Sequence, residues 1–328
     1  MATSVTQDQD FEQLERYRRE LTAHCYRMLG SPFEAEDAVQ DTLVRAWRSL
    51  DKFEGRSQLR SWLYRIATNV CLDMLKSRER RARPMDLEAS RSPDQWTLET
   101  LPEYTWVEPI PDQLVTAPED PADVAESRET IRLAFVAALQ HLPPRQRAVL
   151  LLCEVLKWKA SEVAELLETS TASVNSALQR ARATLDENGC DVDDTGSAPA
   201  LDDETRELLD KYVAAFSRYD METLTSLIHE DATQSMPPYA LWLGNRDDIL
   251  EFWQGPGCGC RNSKVLPAID ANGRPAFAQY KPNPDGPGYV PWALQVLEIE
   301  DGKIRELTFF LDVERVFPLF GLPLDVDA

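Results

Sequence analysis

The residues with the most evident chemistry lie at positions 159–185, where a polar turn joins two short helical patterns. In the second pattern, apolar residues recur at the spacing of one helical face, namely Val174, Ala177, Leu178, Ala181 and Leu185. The other face carries small and forked polar side chains, which suit base edges and phosphates. They are Ser173, Asn175, Ser176, Gln179, Arg180 and Arg182. The stretch predicts either a helix-turn-helix that enters the DNA major groove or a helical hairpin with a solvated face.

A second stretch, from Phe53 to Asn69, interleaves aromatic and arginine side chains. Rings can stack on bases while guanidinium groups contact phosphates, so this mixture is typical of a surface that holds single-stranded DNA. The alternative is that Trp62, Leu63 and Ile66 follow helical spacing because they are core residues. A basic run that suits duplex phosphates comes next. It consists of Lys76, Arg78, Arg80, Arg81 and Arg83.

The net charge of −21 argues against a protein that meets DNA alone, because DNA-binding domains are usually basic. The acidity is unevenly spread along the chain. Residues 1–83 carry a net charge of +2 and residues 127–187 carry +1, whereas residues 84–126 carry −10 and residues 188–328 carry −14. We therefore expect a protein that meets DNA within a larger complex, or that keeps itself off DNA when free.

Composition and periodicity divide the chain into two helical domains, two linkers and a mixed domain. The segments are residues 1–83 (helical), 84–126 (acidic, proline-rich linker of low intrinsic order), 127–187 (helical), 188–201 (short linker) and 202–328 (helices, then strands). Strands are predicted at Ala276–Tyr280, Trp292–Ile299 and Ile304–Leu311, with a hairpin turn between the last two. The predicted fold class is therefore multidomain, with two all-α domains and a C-terminal α+β domain.

Several classes of protein are disfavoured by what the sequence lacks. No run of about 18 apolar residues is present, so no membrane span is expected. The N-terminus is polar and acidic, which does not fit a secretory signal and favours a cytoplasmic protein. Of six cysteines, only Cys258 and Cys260 are close in sequence. This pair is consistent with a strained disulfide, a redox switch or half a metal site. Without a second cluster of ligands, no metal site and no cofactor are predicted.

Four stretches in order resemble the bacterial extracytoplasmic-function sigma factors, which are small initiation factors of RNA polymerase. They are Glu36–Leu43, Arg60–Asn69, Leu142–Arg147 and the helix-turn-helix at 159–185. Residues Tyr212–Phe216 and His229–Thr233 are similar to a SnoaL-like domain of the nuclear-transport-factor-2 fold, which is a cone-shaped α+β domain. The resemblance implies a non-enzymatic factor that binds core RNA polymerase and directs promoter-specific initiation, with its C-terminal domain acting in cis.

The resemblance also implies a role for each polar surface. Asp37, Gln40, Asp41, Arg45 and Arg48 would dock on the clamp helices of the polymerase β′ subunit, and the second helical domain would meet the β flap. Phe53, Arg56, Ser57, Arg60 and Asn69 would hold the melted −10 element, and Lys76, Arg78, Arg80 and Arg81 its flanking duplex. Ser173, Asn175, Ser176, Gln179, Arg180 and Arg182 would read the −35 element. The acidic linker would thread the RNA path of the polymerase.

The C-terminal domain leaves two alternatives open. It modulates the sigma factor in cis, or it is a ligand-binding or enzymatic module that the helical domains target to DNA. Catalysis would need an acid–base pair, and His229 is interpreted as structural. Six side chains either line an apolar cavity for an unknown small ligand or belong to the core. They are Met236, Tyr239, Trp242, Trp253, Tyr280 and Trp292. A repressor that uses the helix-turn-helix alone is a third interpretation, but it would need neither the first domain nor the acidic linker.

Overall fold

The computed structural model describes residues 11–50, 53, 58–77, 80–95, 99–116, 130–187 and 202–326. The chain forms two compact units, each built from two stretches of sequence. The helical unit comprises Met1–Arg81 and Gln113–Ser197. The C-terminal unit comprises Ala82–Asp112 and Ala198–Ala328. No described helix has the length and apolar character that a membrane crossing requires.

The first part of the helical unit contains helices α1 (Arg18–Leu29), α2 (Pro32–Ser49) and α3 (Leu59–Met74). Gly30 ends α1 because its left-handed backbone, with φ of 74°, turns the chain out of the helix. Ser31 then caps α2, since its hydroxyl accepts the backbone N–H of Glu34 at 3.4 Å. These two caps set the sharp corner between α1 and α2, and Leu75–Ser77 extends α3 as a 3₁₀ turn.

The second part of the helical unit contains α4 (Leu133–Gln140), α5 (Pro144–Leu150), α6 (Ala160–Leu166) and α7 (Thr171–Glu187). A π-helical turn at Leu151–Val155 continues α5. Pro143 and Pro144 separate α4 from α5, as the sequence predicts, because proline fits the first turn of a helix but not its interior. The helix-turn-helix is formed by α6 and α7.

A buried arginine joins the two parts of the helical unit. Arg147, only 3% exposed, donates hydrogen bonds to the carbonyl oxygens of Met28, Gln140 and Leu142. It also donates to Oε1 of Gln140 at 2.6 Å. Burial lowers the pKa of Arg147 to about 9, because a desolvated guanidinium is held here by neutral oxygens. Arg27 adds a second link by donating to the hydroxyl of Thr130 at 2.6 Å.

The C-terminal unit is an α+β domain, and the predicted fold class is confirmed. Its helices are α8 (Asp203–Arg218), α9 (Met221–Leu227), α10 (Arg246–Gln254) and α11 (Val313–Leu319). Its strands are β1 (Ile228–Ser235), β2 (Trp242–Leu243), β3 (Lys264–Pro267), β4 (Ala276–Pro282), β5 (Tyr289–Glu300) and β6 (Lys303–Phe310). The sheet order is β2-β1-β6-β5-β4-β3, and β1 and β6 form its parallel pair. His229 lies within β1 rather than in a turn before it.

The core of this unit lies between the sheet and helices α8 to α10. Phe216 packs edge-on against Trp253 with ring centroids 5.3 Å apart, and both belong to one buried cluster with Phe309. The predicted hairpin between β5 and β6 is present. Asp301 and Gly302 both have positive φ, which such a tight turn requires.

The sequence predicts a linker of low intrinsic order whose aromatic residues, among them Trp106, indicate docking on another surface. Residues 82–112 belong to the C-terminal unit, and we call them the docked segment. Short helical turns occur in it at Pro84–Leu87, Pro93–Gln95 and Glu103–Thr105. The Ile110 backbone N–H donates to Oδ1 of Asn272 at 3.0 Å, and its carbonyl accepts the Asn272 N–H at 3.0 Å. Oδ1 of Asp112 accepts the Gly273 N–H at 2.7 Å. Trp106, Val107 and Ile110 are buried. Burial of these apolar residues, which stand among acidic residues and prolines in the sequence, stabilises the docking of this segment.

Candidate nucleic-acid interface

The second helix of the helix-turn-helix is oriented by its apolar face and by its first turn. Val174, Ala181 and Leu185 are fully buried, so the opposite face of α7 must point to solvent. At the start of α7, the Ser170 hydroxyl accepts the Ser173 backbone N–H at 3.1 Å. This contact satisfies an N–H that would otherwise be unpaired and fixes where the helix begins.

The six residues predicted to read DNA lie together along α7. Ser173, Asn175, Gln179, Arg180 and Arg182 are exposed, and Ser176 is half-buried. Both arginines of this set have contacts within the helical unit. Arg180 donates to the Ser176 hydroxyl at 2.8 Å, and Arg182 pairs with Glu154. These contacts hold the two guanidinium groups in defined positions beside the exposed amides of Asn175 and Gln179.

The aromatic and basic stretch on α3 is partly engaged in internal packing. The Phe53 ring lies 5.1 Å from the Trp62 ring. Arg60 donates to Glu20 at 2.7 Å and lies over the Tyr64 ring at 5.1 Å. Asn69 is exposed. Two of the predicted residues, Arg56 and Ser57, lie outside the described residues.

The basic run after α3 divides into exposed and buried members. Lys76 is exposed and pairs with Asp73 at 2.7 Å, and Arg80 is exposed with its guanidinium 2.7 Å from Nδ1 of His141. Arg81 is 7% exposed and pairs with Glu34 at 2.8 Å. Arg81 therefore braces α2 instead of facing solvent, and Arg78 lies outside the described residues.

The polar face of α2 is open, as the sequence predicts. Asp37, Gln40, Arg45 and Arg48 are exposed, Asp41 is partly exposed, and Arg45 pairs with Asp41 at 2.7 Å. Trp47 differs from expectation, because helical spacing assigns it to the apolar stripe whereas 43% of it is exposed. A tryptophan near the end of a helix and next to Arg48 and Leu50 extends this surface with an apolar patch.

Inside the C-terminal unit, buried polar side chains bond to one another. The Tyr212 hydroxyl donates to Gln295 at 2.9 Å, Gln295 donates to Gln279 at 2.9 Å, and Gln279 donates to Ser263 at 2.9 Å. Trp253 donates to Gln234 at 2.8 Å in the same interior. These side chains are therefore already hydrogen-bonded to one another. An acid–base pair or a bound substrate would have to replace those bonds.

His229 lies outside that interior. It is about one-third exposed, its Nδ1 accepts the Asp231 N–H at 3.1 Å, and the same atom lies 3.2 Å from Nη1 of Arg305. Among the residues that the structure describes, no three His, Cys, Asp or Glu side chains are grouped as metal ligands require.

The six aromatic and methionine candidates do not gather around one cavity. Trp253 lies in the core cluster, and Met236, Tyr239 and Trp292 pack against that cluster. Tyr280 instead packs edge-on against Phe317 of α11, at 5.4 Å. The Trp242 indole donates to the Glu88 carbonyl at 2.8 Å, so this residue holds the docked segment.

A helical unit that presents a helix-turn-helix, joined to an α+β domain, defines a multidomain protein built for DNA recognition. The Sigma-70 region 2 family matches residues 14–81, the Sigma-70 region 4 family matches residues 132–185, and the SnoaL-like domain family matches residues 209–307. The chain therefore belongs to the extracytoplasmic-function (ECF) RNA polymerase sigma factors and carries a C-terminal SnoaL-like domain. This confirms the family that the sequence motifs predict.

Two relatives from Mycobacterium tuberculosis are similar over nearly the whole chain. The chain is 45% identical to the ECF RNA polymerase sigma factor SigG over 311 residues, which cover 94% of this chain and 82% of SigG. It is 26% identical to SigJ over 335 residues, which cover 96% of this chain and 95% of SigJ. The crystal structure of SigJ aligns with a TM-score of 0.60 at 22% identity and covers 95% of this chain and 99% of SigJ, which shows a shared fold. Both relatives are named as sigma factors and neither as an enzyme.

Proposed function

We propose that this protein binds core RNA polymerase and directs it to promoters that carry a −35 and a −10 element. The observation that carries the proposal is α7, which exposes Asn175, Gln179 and Arg180 along one face within a Sigma-70 region 4 match. Amide side chains can read adenine edges, and arginine can read guanine or grip phosphate. This role would be performed in the cytoplasm, where the transcription machinery of a bacterium works.

The remaining roles follow from the exposed surfaces of the helical unit. The open face of α2, with Asp37, Gln40 and Arg48, would dock on the β′ clamp helices, and region 4 would contact the β flap. Phe53 and Asn69 would contact the melted −10 strand, while Lys76 and Arg80 would contact duplex phosphates. Arg60 would contribute mainly by holding α3 against Glu20, because its guanidinium already bonds that carboxylate.

The packing of the helical unit bears on how the factor is used. The −10 and −35 positions are about 25 base pairs apart, which is roughly 85 Å of B-DNA. Arg147 holds the two regions that read them in direct contact. Polymerase binding would therefore exchange the contacts around Arg147 for contacts with the enzyme. The acidic protein needs no strong DNA affinity of its own, because the polymerase supplies the surface that holds the DNA.

The C-terminal unit would act in cis through the docked segment. That segment comes directly after region 2, and region 4 begins shortly beyond it, so its docking shortens the free chain between the two regions. Intramolecular docking benefits from a high effective concentration, and modest contacts at Asn272 and Asp112 suffice. The unit would thereby limit how far regions 2 and 4 can separate.

A second candidate function is an enzyme or a small-molecule receptor in the C-terminal unit. The successive side-chain hydrogen bonds from Tyr212 to Ser263 argue against catalysis in the interior, because these polar side chains already bond to one another. A receptor function has support from a different cavity, which lies between the docked segment and the end of β6.

Run-off transcription with bacterial core polymerase and genomic fragments that include the gene's own upstream region tests the proposal. The full chain is expected to give discrete transcripts, and no transcript together with no binding to core polymerase would contradict a sigma role. Asn272→Gly removes the side chain that holds Ile110 but keeps the left-handed backbone that this position requires, with φ of 55°. The matched control is Asn262→Gly, an exposed asparagine with φ of 62°.

The two glycine variants separate the cis role from the sigma role. Asn272→Gly is expected to change transcript yield relative to the wild-type protein, and Asn262→Gly is expected to leave it unchanged. The sign of the change tells whether docking restrains or promotes initiation. Equal yields from all three proteins would reject control by the docked segment while leaving the sigma function intact.

A further inference from the structure

A cavity of about 390 Å³ lies within the C-terminal unit, between the docked segment and the end of β6. Its apolar walls are Trp106, Val107 and Pro109 on one side and Phe310, Leu311 and Val316 on the other. This volume falls in the range of small-molecule sites. The cavity is separate from the hydrogen-bonded interior that contains Tyr212, and it has walls from both stretches of sequence that form this unit.

The cavity is poor in available backbone hydrogen-bond donors. Pro109, Pro237 and Pro238 line it and have no backbone N–H. Two further backbone N–H groups are already used, since Leu101 donates to the Pro238 carbonyl at 3.1 Å and Leu311 to the Pro237 carbonyl at 2.9 Å. A ligand that needs donors from the protein, such as a carboxylate or a phosphate, would find few here.

The cavity is rich in acceptors that carry negative charge. Glu103, Glu108 and Asp312 line it, and none of the described lining residues is a lysine or an arginine. Arg315 approaches from outside the lining set, 3.3 Å from Glu108 and 3.6 Å from Asp312, and it also pairs with Glu103. Burial and the neighbouring Glu314 carboxylate raise the pKa of Asp312.

We propose that this cavity binds a small organic cation, an ammonium group on an apolar body. The ammonium group would donate to Glu108 and Asp312 and would bring a positive charge to an acidic lining. The apolar body would pack between Trp106 and Phe310, where the indole ring also favours a nearby cation. Apolar walls with a few convergent charged groups are the usual make-up of such sites.

The position of the cavity connects the ligand to transcription, an extension that rests on the proposed sigma function. Trp106, Val107 and Glu108 belong to the docked segment, so the site is complete only while that segment is docked. A ligand that binds only one state stabilises it by mass action. The organic cation would therefore be a signal that holds the docked segment on the C-terminal unit.

Isothermal titration calorimetry on the full chain tests the site without polymerase. The probes are butylamine, phenethylamine and tryptamine, each paired with the alcohol of the same skeleton, together with 3-phenylpropionate as an anionic counterpart. At least one amine is expected to bind more tightly than its alcohol, and the carboxylate is expected not to bind. No heat from any amine up to millimolar concentration, or equal binding of an amine and its alcohol, would overturn the proposal.

Two variants assign the binding to this cavity. Glu108→Gln keeps the size of the side chain and removes its charge, and it is expected to weaken amine binding about tenfold or more. Glu251→Gln is the matched control, because this exposed residue of α10 does not line the cavity. Val316→Trp fills the cavity without changing a charge and is expected to abolish binding.

Thermal unfolding accompanies each variant, so that a loss of fold is distinguished from a loss of the site. Unchanged amine affinity in folded Glu108→Gln and Val316→Trp proteins would place any binding elsewhere and reject the proposal. Because the titrations contain neither polymerase nor DNA, a negative result leaves the sigma function untouched. Failure of run-off transcription would in turn leave the binding result standing.

Discussion

The outer face of α7 and the interior of the C-terminal sheet use the same kinds of side chain in opposite ways. On α7, Asn175 and Gln179 are exposed, and their amides face the solvent that DNA would replace. In the sheet, Gln279 and Gln295 are fully buried, and their amides bond to neighbouring side chains. The first arrangement is available for recognition, whereas the second contributes to a specific packing of the core.

This difference explains why one region points to a binding function and the other does not. An exposed amide loses its water only when DNA supplies equivalent bonds, so the correct base is distinguished from the wrong one. A buried amide already has its partners, and a substrate would have to break them at a cost of about 1–3 kcal/mol each. Variants in the helical unit and in the C-terminal unit test this difference between exposed and buried polar side chains.

The largest effect is expected at Arg147, a polar side chain that is buried in the helical unit, unlike those on the outer face of α7. Arg147→Met keeps most of the volume but removes the donor from several carbonyl oxygens, including those of Met28 and Leu142. Since each buried unsatisfied acceptor costs roughly 1–3 kcal/mol, the free energy of unfolding is expected to fall by about 3 kcal/mol. Urea denaturation of the full chain measures it, with the exposed Arg145→Met as control. Equal stability of the two variants would show that this buried cation is not structural.

Next in size is the loss of base discrimination on α7. The double variant Asn175→Ala/Gln179→Ala removes two amides without touching the buried face of the helix. Each amide that contacts a base is worth about 1–3 kcal/mol, so transcription from a −35-dependent promoter is expected to fall at least tenfold, with relaxed preference among −35 variants. Run-off transcription on a set of promoter variants measures this. Asp186→Asn, at the end of the same helix, serves as control, and an unchanged preference in the double variant would argue against readout by these amides.

The helical unit also contains a buried histidine that gives its stability a pH dependence. His24 is 1% exposed, bonds to Thr68 at 3.0 Å, and has its pKa lowered to about 3 by burial and by nearby Arg27. The unfolded chain binds a proton at His24 below about pH 6.5, whereas the folded chain does not. Its contribution is therefore complete above about pH 6.5 and is lost toward pH 3, at up to about 1.4 kcal/mol per pH unit.

Urea denaturation between about pH 7 and pH 5 measures this slope. His24→Gln is expected to flatten it, because glutamine takes up no proton in either state. His229→Gln, at a partly exposed histidine of the C-terminal unit, is the matched control for the removal of one histidine. A slope that survives in His24→Gln would assign the acid sensitivity to other groups.

The smallest effect is expected in the sheet interior. Tyr212→Phe removes one hydroxyl and leaves Gln295 without its donor, so the free energy of unfolding is expected to fall by about 1–2 kcal/mol. Run-off activity at a permissive temperature is expected to stay at the wild-type level. Calorimetric unfolding and transcription assays report the two quantities separately. A loss of transcription with unchanged stability would show that the interior has a functional role beyond packing, and the comparison would then fail.

The sequence was informative where local periodicity carries the structure. The buried stripe of α7, the Pro143–Pro144 break and the β5–β6 hairpin follow from helical spacing, proline chemistry and turn residues. The aromatic residues of the docked segment indicated that it docks, but the surface on which it docks did not follow, because Trp106 and Ile110 stand among acids and prolines without any period. Ile110 is held by Asn272, and Trp106 lines a cavity with Phe310, both more than a hundred residues away in sequence. No local pattern encodes such a contact.

In the candidate sites, too, features that depend on contacts between distant residues could not be predicted from the sequence. Exposure of Asn175 and Gln179 follows from the helix that bears them, but the burial of Arg81 depends on Glu34 in another helix. Arg147 belongs to a motif that the sequence reveals, and its position between two helical regions becomes evident only when Met28 and Gln140 are placed around it. The cavity beside Glu108 is formed by two distant stretches and has no sequence signature.

The docked segment also fixes an order of events during synthesis. Trp106, Val107 and Ile110 leave the ribosome well before Asn272 and β6, and chains fold from the N-terminus as they emerge. A nascent chain therefore passes through a stage in which both helical regions are complete while the acidic segment has nothing to dock on. In every newly made molecule, the docked segment would wait until the end of translation for the surface that holds it.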